Sequence, residues 1–442
     1  MNAMLRPLLL RSLLLLLAPT LIRAAESATP VTFSAGAASA DITPDPKMLN
    51  WVPLKPYGAL NDPIFARAIV LSDGTAKIAL IAWDLLDARE YAVARIRTAI
   101  TKATGIPGTH VIINASHNHS GPKSEMGSEP NTQREAKTSR PAQLDPLYRV
   151  WADRLVQTCV GLVAKADAAR QPATLAIGRA TIGEWMFNRR PIKPDSTVLS
   201  MLNPADPYVL GQGLRFGTVD PTMTVLSLRT ADGKGIATLF HAPIHAVAIY
   251  GKVPGISADW PGAVVQRLRA AAVGEPIFLQ GCAGDIVPAR RGFEAVKVMA
   301  DGIAERILAA QKVAVRLEPG PLRTSRAIVG APATVAAGRG LSRSNLDCEV
   351  QVVTMGTLAI VTLPGEPLSG LSTAIQERSP FPHTIVLGYS NGRGIGYVGL
   401  PGNKIKGGYE MSDVGHGADE AGGFLVDSAV RLLKEHAGAP KP

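Results

Sequence analysis

FARAIVLSDGTAKIALIAWDLLDAREYAVARIRTAITKATGIPGTHVIINASHNHSGP, residues 65–122, decides the fold class. Two strand-like runs, Phe65 to Leu71 and Lys77 to Trp83, flank Asp73-Gly74, a dipeptide that accepts the positive φ angles of a tight hairpin. From Ala88 to about Ala103 apolar residues recur at helical spacing, and Gly105 with Pro107 stops the helix. A further strand, His110 to Ala115, runs straight into NASHNHSGP. Chemistry is expected in that loop, because loops at the ends of sheet strands carry the sites of α/β proteins.

The pattern recurs outward from this stretch. A helix is expected from Tyr148 to Ala166, a strand from Thr174 to Ile182, and a second hairpin, Met223–Arg229 with Ile236–Phe240, about Asp232-Gly233. Pro276 to Gln280 reads as a short strand leading into GCAGD, and Phe293 to Ala310 as a helix. Gln351 to Leu363 gives two strands about Met355-Gly356, and Ala421 to His436 a last helix. The 442 residues, 46% of them hydrophobic, can bury a large core. The 43 Gly and 34 Pro follow no short period and read as turns. With no repeat at solenoid or propeller spacing and no linker, one α/β domain of mixed sheets with flanking helices is expected.

Residues 1–25 carry Arg6 and Arg11 around a leucine run that ends near Leu17, then small residues at Ala24 and Ala25, the pattern of a signal peptide. Arg23 fits the cleavage site poorly, which keeps a retained anchor as the minor alternative. The chain is therefore expected to be exported, periplasmic or secreted. Without the leader the formal charge falls from +10 to +7. The basic pairs, Arg189-Arg190 and Arg290-Arg291, are scattered and lack interleaved aromatics, so nucleic acid is not an expected partner. Peripheral contact with an anionic membrane surface is compatible with the charge. Cys159, Cys282 and Cys348 make an odd, widely spaced set that allows at most one disulfide, forms no zinc ribbon and reads as buried small hydrophobes.

His117 and His119 stand two apart after a strand, so extended backbone would project both imidazoles to one side. Alone, the pair is as compatible with hydrogen bonding in a polar loop as with metal ligation. His241 and His245 lie in LFHAPIHAVAIY beside a strand end; four apart, they could also share a helical turn, or be buried and satisfied. Glu366, bracketed by Pro364, Gly365 and Pro367, supplies an anion that can be held rigidly, with an acid at a helix N-terminus as the competing reading.

NASHNHSGP resembles the T-H-T-H-S-G-P segment of neutral ceramidases. The resemblance extends in order through AGAASADITP, ARAIVLSDG, FNRR, HAPIHAV, ISADWPG, GCAGDIVP, LPGEP and the stretch from Tyr397 to Tyr409, which together span nearly the whole chain after the leader. It implies a ceramidase-like catalytic domain over residues 30–438 that binds one zinc ion through His117, His245, Glu366 and Tyr397. It also implies that His119, Arg189 and Tyr409 act in catalysis, on a small-molecule or lipid-like acyl substrate whose amide or ester bond is attacked by zinc-activated water. Asp259 and Asp285 are then the nearest carboxylates to orient the ligand imidazoles.

Two departures qualify the resemblance. Val287 in GDIVPAR stands where the family's G-D-x-S-P-N carries a serine, and the chain ends at residue 442, before the family's C-terminal immunoglobulin-like domain, which is expected to be absent. Zinc chemistry could therefore outlast ceramide specificity. The alternative is a catalytically weak zinc-containing binding protein of the same fold; a zinc phosphoesterase lacks the several Asp ligands of a two-metal site.

Overall fold

The computed structural model describes residues 33–51, 54–127, 144–199, 201, 213–334, 344–412 and 414–438. The leader expected over residues 1–25 lies outside them.

Three sheets share one topology. In the first, β1 (Ser34–Asp41) pairs antiparallel with the hairpin β2 (Phe65–Ser72) and β3 (Lys77–Trp83), β4 (Val111–Ala115) adds in parallel to β3, and the two-residue β5 (Gln171–Pro172) closes the β1 edge. The second repeats this with β6 (Thr174–Thr181), the hairpin β8 (Thr222–Arg229) and β9 (Gly235–Ala242), parallel β10 (Glu275–Gln280), and β12 (Val315–Leu317) at the β6 edge. The third has β13 (Arg323–Pro332), the hairpin β14 (Asn345–Met355) and β15 (Leu358–Thr362), and parallel β17 (His383–Leu387).

A parallel pairing needs a crossover, and a helix supplies each one: α1 (Glu90–Thr104), α3 (Asp259–Arg269) and α5 (Ser369–Arg378). A second helix follows each sheet: α2 (Pro146–Ala168), α4 (Phe293–Lys312) and α7 (Ala421–Gly438). Two short ribbons complete the frame, β7 (Met186–Asn188) with β11 (Ile286–Pro288), and β16 (Glu366–Pro367) with β18 (Tyr397–Val398).

The three sheets turn one face each into a common core that includes Ile69, Leu80, Leu226, Leu239, Val353 and Ile360. The opposite faces are covered by the helices: α1 and α2 pack on the first sheet, α3 and α4 on the second, and α5 and α7 on the third. Buried on both faces, the central strands are continuously apolar, which is why they read in sequence as runs rather than alternations. All three cysteines are buried and free. No helix among the described residues is long and apolar enough to cross a membrane.

Asn114, the fully buried fourth residue of β4, joins the three sheets. Its Nδ2 donates to Gly388 O (2.8 Å), Ser390 Oγ (3.0 Å) and Gln280 O (3.3 Å), and its Oδ1 accepts from Gln280 N (2.8 Å). The carboxyl ends of the parallel pairs β3–β4, β9–β10 and β15–β17 therefore meet at one place, where α/β sheets ordinarily hold ligands.

Candidate metal centre

Each sheet sends one arm into this meeting point. Beyond β4 the chain does not stay extended as the sequence suggested: His117 is left-handed, with φ 60°. The loop is held by Ser116 N donating to Trp83 O and Asn118 N to Leu85 O, while Asn118 Nδ2 donates to Asp84 O and Ser257 O. The turn still brings the two histidines together, with ring centroids 4.6 Å apart and His119 Nε2 2.9 Å from His117 Nε2.

The second arm follows β9. His241 lies within the strand, where its Nε2 bonds Val386 O at 3.0 Å; it is the satisfied core histidine, and burial pushes it down to about 4. His245 lies in the loop beyond, so the two share no helical turn. Its backbone is fixed by His245 N donating to Ile286 O and Trp260 Nε1 donating to His245 O. The third arm is the β16–β18 ribbon, which sets Glu366 in register with Tyr397. Gly365, with φ 72°, makes that ribbon possible, because a side chain there would run into the carbonyl of Gly396.

The charges and protons at the meeting point leave a gap that a cation fits. His117 Nδ1 sits 2.7 Å from Leu86 O, and His245 Nδ1 sits 2.5 Å from Ala283 O and 3.1 Å from Ile286 O. A carbonyl only accepts, so both rings donate from Nδ1 and turn Nε2 to the interior. Those two nitrogens face one carboxylate oxygen, Glu366 Oε2, at 3.0 and 3.6 Å. Burial, seconded by Arg189, holds His245 down to about 4, so no proton relieves its side of the contact. His245 Nε2 and Glu366 Oε2 are buried without a hydrogen-bond partner. Atoms that share a tetrahedral metal ion lie about 3.3 Å from one another, close to these two separations.

Glu366 is nearly inaccessible. Burial alone would raise its carboxyl, but His117, His245 and Arg393 outweigh this and hold it well below the usual range. Arg393 Nη2 donates to its second oxygen at 3.2 Å. The carboxylate therefore faces the histidines and an arginine, and the helix that starts at Ser369 does not use it as a cap. Tyr397 is braced by Arg189, whose Nη2 donates to its hydroxyl at 2.9 Å and to Gly284 O at 2.9 Å. Burial, then Glu366, push the Tyr397 phenol well above its ordinary value, whereas Arg189 favours negative charge on that oxygen. Glu410, fully buried, anchors the pair of arginines: Arg189 Nε lies 2.9 Å and Arg190 Nη1 2.6 Å from its carboxylate oxygens.

The structure thus brings together His117, His119, His245, Glu366, Tyr397 and Arg189. His117, His119 and His245 each place a ring nitrogen within 4.8 Å of the others. Tyr409 is further out, about half exposed at the start of α6 (Tyr409–Ser412), with its ring 6.0 Å from that of Tyr397. Asp259 and Asp285 do not orient the imidazoles, since carbonyls already take both Nδ1 protons. Asp259 instead accepts from Ala248 N and Ile249 N behind His245, and Asp285 accepts from Ser369 N, Ser369 Oγ and Asn188 Nδ2. Arg393, Glu410 and Tyr389 were not assigned from the sequence. Arg393 and Tyr389 lie in GYSNGRGIGY, which looks like an ordinary glycine-rich turn.

Among solved structures the chain is similar to neutral ceramidase from Pseudomonas aeruginosa, with a TM-score of 0.69 and 16% identity over 92% of this chain and 75% of that one. A structure of ceramidase complexed with C2 matches equally, with a TM-score of 0.69 and 16% identity over 93% and 76% of the two chains. The fold, with its mixed sheets and flanking helices, is the neutral ceramidase fold. No family model and no curated protein matches the sequence.

Proposed function

From the shared neutral ceramidase fold, we propose that this chain is an exported, zinc-dependent hydrolase of an acyl amide or ester. The observation that carries the reading is the buried convergence of the His117 and His245 Nε2 atoms on one oxygen of Glu366, with His245 Nε2 and that oxygen left without a hydrogen-bond partner, which calls for a cation. His117, His245, Glu366 and Tyr397 would hold the ion, a mixed N and O set that zinc accepts. Bound there, zinc would supply Lewis acidity toward water and toward a carbonyl oxygen.

The remaining work falls to the chain itself. His119 is kept neutral by burial and by the neighbouring His117 and His245, so it is available to take a proton and return it to a leaving amine or alkoxide. Arg189, fixed by Glu410, steadies the Tyr397 oxygen and places positive charge where an oxyanion develops. Tyr409, about half exposed beside Tyr397, would donate from its phenol to a bound acyl group. Trp51 and Tyr250 flank His119 at ring distances of 5.9 and 4.8 Å, giving the reacting end apolar walls.

His119→Ala and Tyr409→Phe are each expected to keep zinc while kcat falls by about a hundredfold, since one lost acid–base or oxyanion group costs about that much. Steady-state kinetics with metal analysis checks this; wild-type kcat in both variants would remove them from the mechanism.

Val287, at the family's serine position, is buried in β11 within a small apolar cluster with Phe187, Met201 and Val247, against Tyr250. A valine neither attacks nor donates, so turnover is expected without an acyl-enzyme. A substrate hydroxyl brought against this cluster would lose a partner at a cost of about 1–3 kcal/mol, which makes ceramide a poor substrate. Val287→Ser is expected to shift kcat/KM toward hydroxylated acyl substrates about tenfold or more. Efficient ceramide cleavage by the wild type would contradict this.

The test of the reading as a whole is a screen of acyl amides and esters with purified protein. Hydrolysis should appear, vanish with a chelator and return with zinc.

A further inference from the structure

Tyr389 has no part in the mechanism above, yet it sits at the centre. Directly after β17, its N–H donates to Gly365 O at 3.1 Å, next to Glu366, and its carbonyl accepts from Ala115 N at 3.1 Å, two residues before His117. One residue thus ties the segment carrying His117 to the segment carrying Glu366. To do so it takes a left-handed backbone, with φ 50°, which is rare for an aromatic residue and typical of functional sites. Its ring lies over that of His117, with centroids 4.4 Å apart and a tilt of 33°, and edge-on to His245 at 5.9 Å.

The side chain is 2% exposed, and its hydroxyl has no hydrogen-bond partner. A buried phenol ordinarily finds one, because leaving it unpaired forfeits its hydration. A cation in the cage would satisfy His245 Nε2 and Glu366 Oε2 but not an O–H donor. The ring's contacts with His117 and His245 keep that hydroxyl beside the metal centre. An acceptor oxygen brought in by a bound substrate would satisfy it.

We propose that the Tyr389 hydroxyl donates a hydrogen bond to an oxygen of the bound acyl substrate, making it a catalytic residue beyond those assigned above. The inference rests on the reading of the centre as a zinc hydrolase. It also gives the strained backbone a purpose, since the same φ that joins the two ligand segments fixes the phenol.

Tyr389→Phe removes only the hydroxyl. On zinc-loaded protein, zinc retention against a chelator should stay within about twofold of wild type, while affinity for acetohydroxamate, measured by calorimetry, should fall by about tenfold, as the loss of one hydrogen bond would require. On the best acyl substrate kcat should fall by about tenfold to a hundredfold with KM little changed. Should that variant fail to fold, 3-fluorotyrosine at position 389 keeps the shape and strengthens the donor, and acetohydroxamate should bind more tightly. Unchanged acetohydroxamate affinity in either variant overturns the proposal, as does a zinc loss large enough to explain the kinetics. If the wild type binds zinc and acetohydroxamate but cleaves no acyl compound, the hydrolase reading fails while the acetohydroxamate comparison still decides Tyr389.

Discussion

His245→Ala should yield a folded protein without bound zinc whose hydrolytic activity is lower by about a thousandfold or more, the scale of the several kcal/mol that a metal contributes to the transition state. The residue is buried and its Nδ1 is committed to Ala283 O, so its bare Nε2 has no role in folding that another group shares. Removing it leaves Glu366 and His117 to hold the ion with Tyr397, a set short of one strong nitrogen donor. His117→Ala should do the same. Tyr397→Phe should weaken zinc less, because it keeps both imidazoles and the carboxylate, a two-histidine, one-glutamate set that holds a catalytic zinc with an open position. Elemental analysis after exhaustive dialysis measures all three, and full zinc in both histidine variants would refute the ligand assignment.

The largest effect on stability is expected at Asn114. Asn114→Ala removes the donors to Gly388 O, Ser390 Oγ and Gln280 O and the acceptor of Gln280 N, all at a site that water cannot reach. Each buried polar group left unpaired costs about 1–3 kcal/mol, so a loss of about 3–5 kcal/mol is expected, a large part of an ordinary domain's stability. Urea unfolding followed by circular dichroism checks it, with an unchanged m value showing that the unfolded reference is the same. A loss below about 1 kcal/mol would mean that the apolar core alone holds the three sheets in register. Because β4, β10 and β17 lead to His117, the GCAGD loop and Tyr389, the same variant should also loosen the metal centre.

Much of this fold could be read from local chemistry. Asp73-Gly74, Asp232-Gly233 and Met355-Gly356 each mark the hairpin of one sheet, and the helical spacing over Ala88–Ala103 marks the crossover α1. The helix α3 was not read because its first turn contains Pro261-Gly262, which signals a turn in sequence; proline is nonetheless tolerated in the first turn of a helix, where its missing N–H has no partner to lose. The edge strand β13 was missed because RTSRAIVGAP mixes charged and apolar residues, as suits a strand whose Ile328 is exposed. The threefold repetition of the sheet topology leaves no sequence period, since the segments between hairpins differ in length.

The centre was legible where residue type limits the chemistry. The histidine pairs and Glu366 suggested a metal from residue type and setting, while Tyr397 was implied by the family resemblance alone; the structure places His117, His245, Glu366 and Tyr397 together. What escaped depends on backbone turns that no local pattern specifies. His117, Tyr389 and Asn391 are all left-handed without being glycine, so the extended reading of NASHNHSGP gave the wrong backbone. Asp259 and Asp285 were chosen as carboxylates near the ligands, but carbonyls of Leu86 and Ala283 hold the imidazoles. Any residue can offer a carbonyl, so sequence carries no trace of it.

The most direct measurement is a crystal of the purified protein, grown with zinc, and diffraction data on either side of the zinc absorption edge. One anomalous peak is expected within about 2.0–2.2 Å of His117 Nε2, His245 Nε2 and a Glu366 oxygen, and it should be missing from crystals of His245→Ala. A zinc-grown crystal with no peak between these residues, or with the peak elsewhere on the chain, would contradict the assignment of a zinc hydrolase centre here.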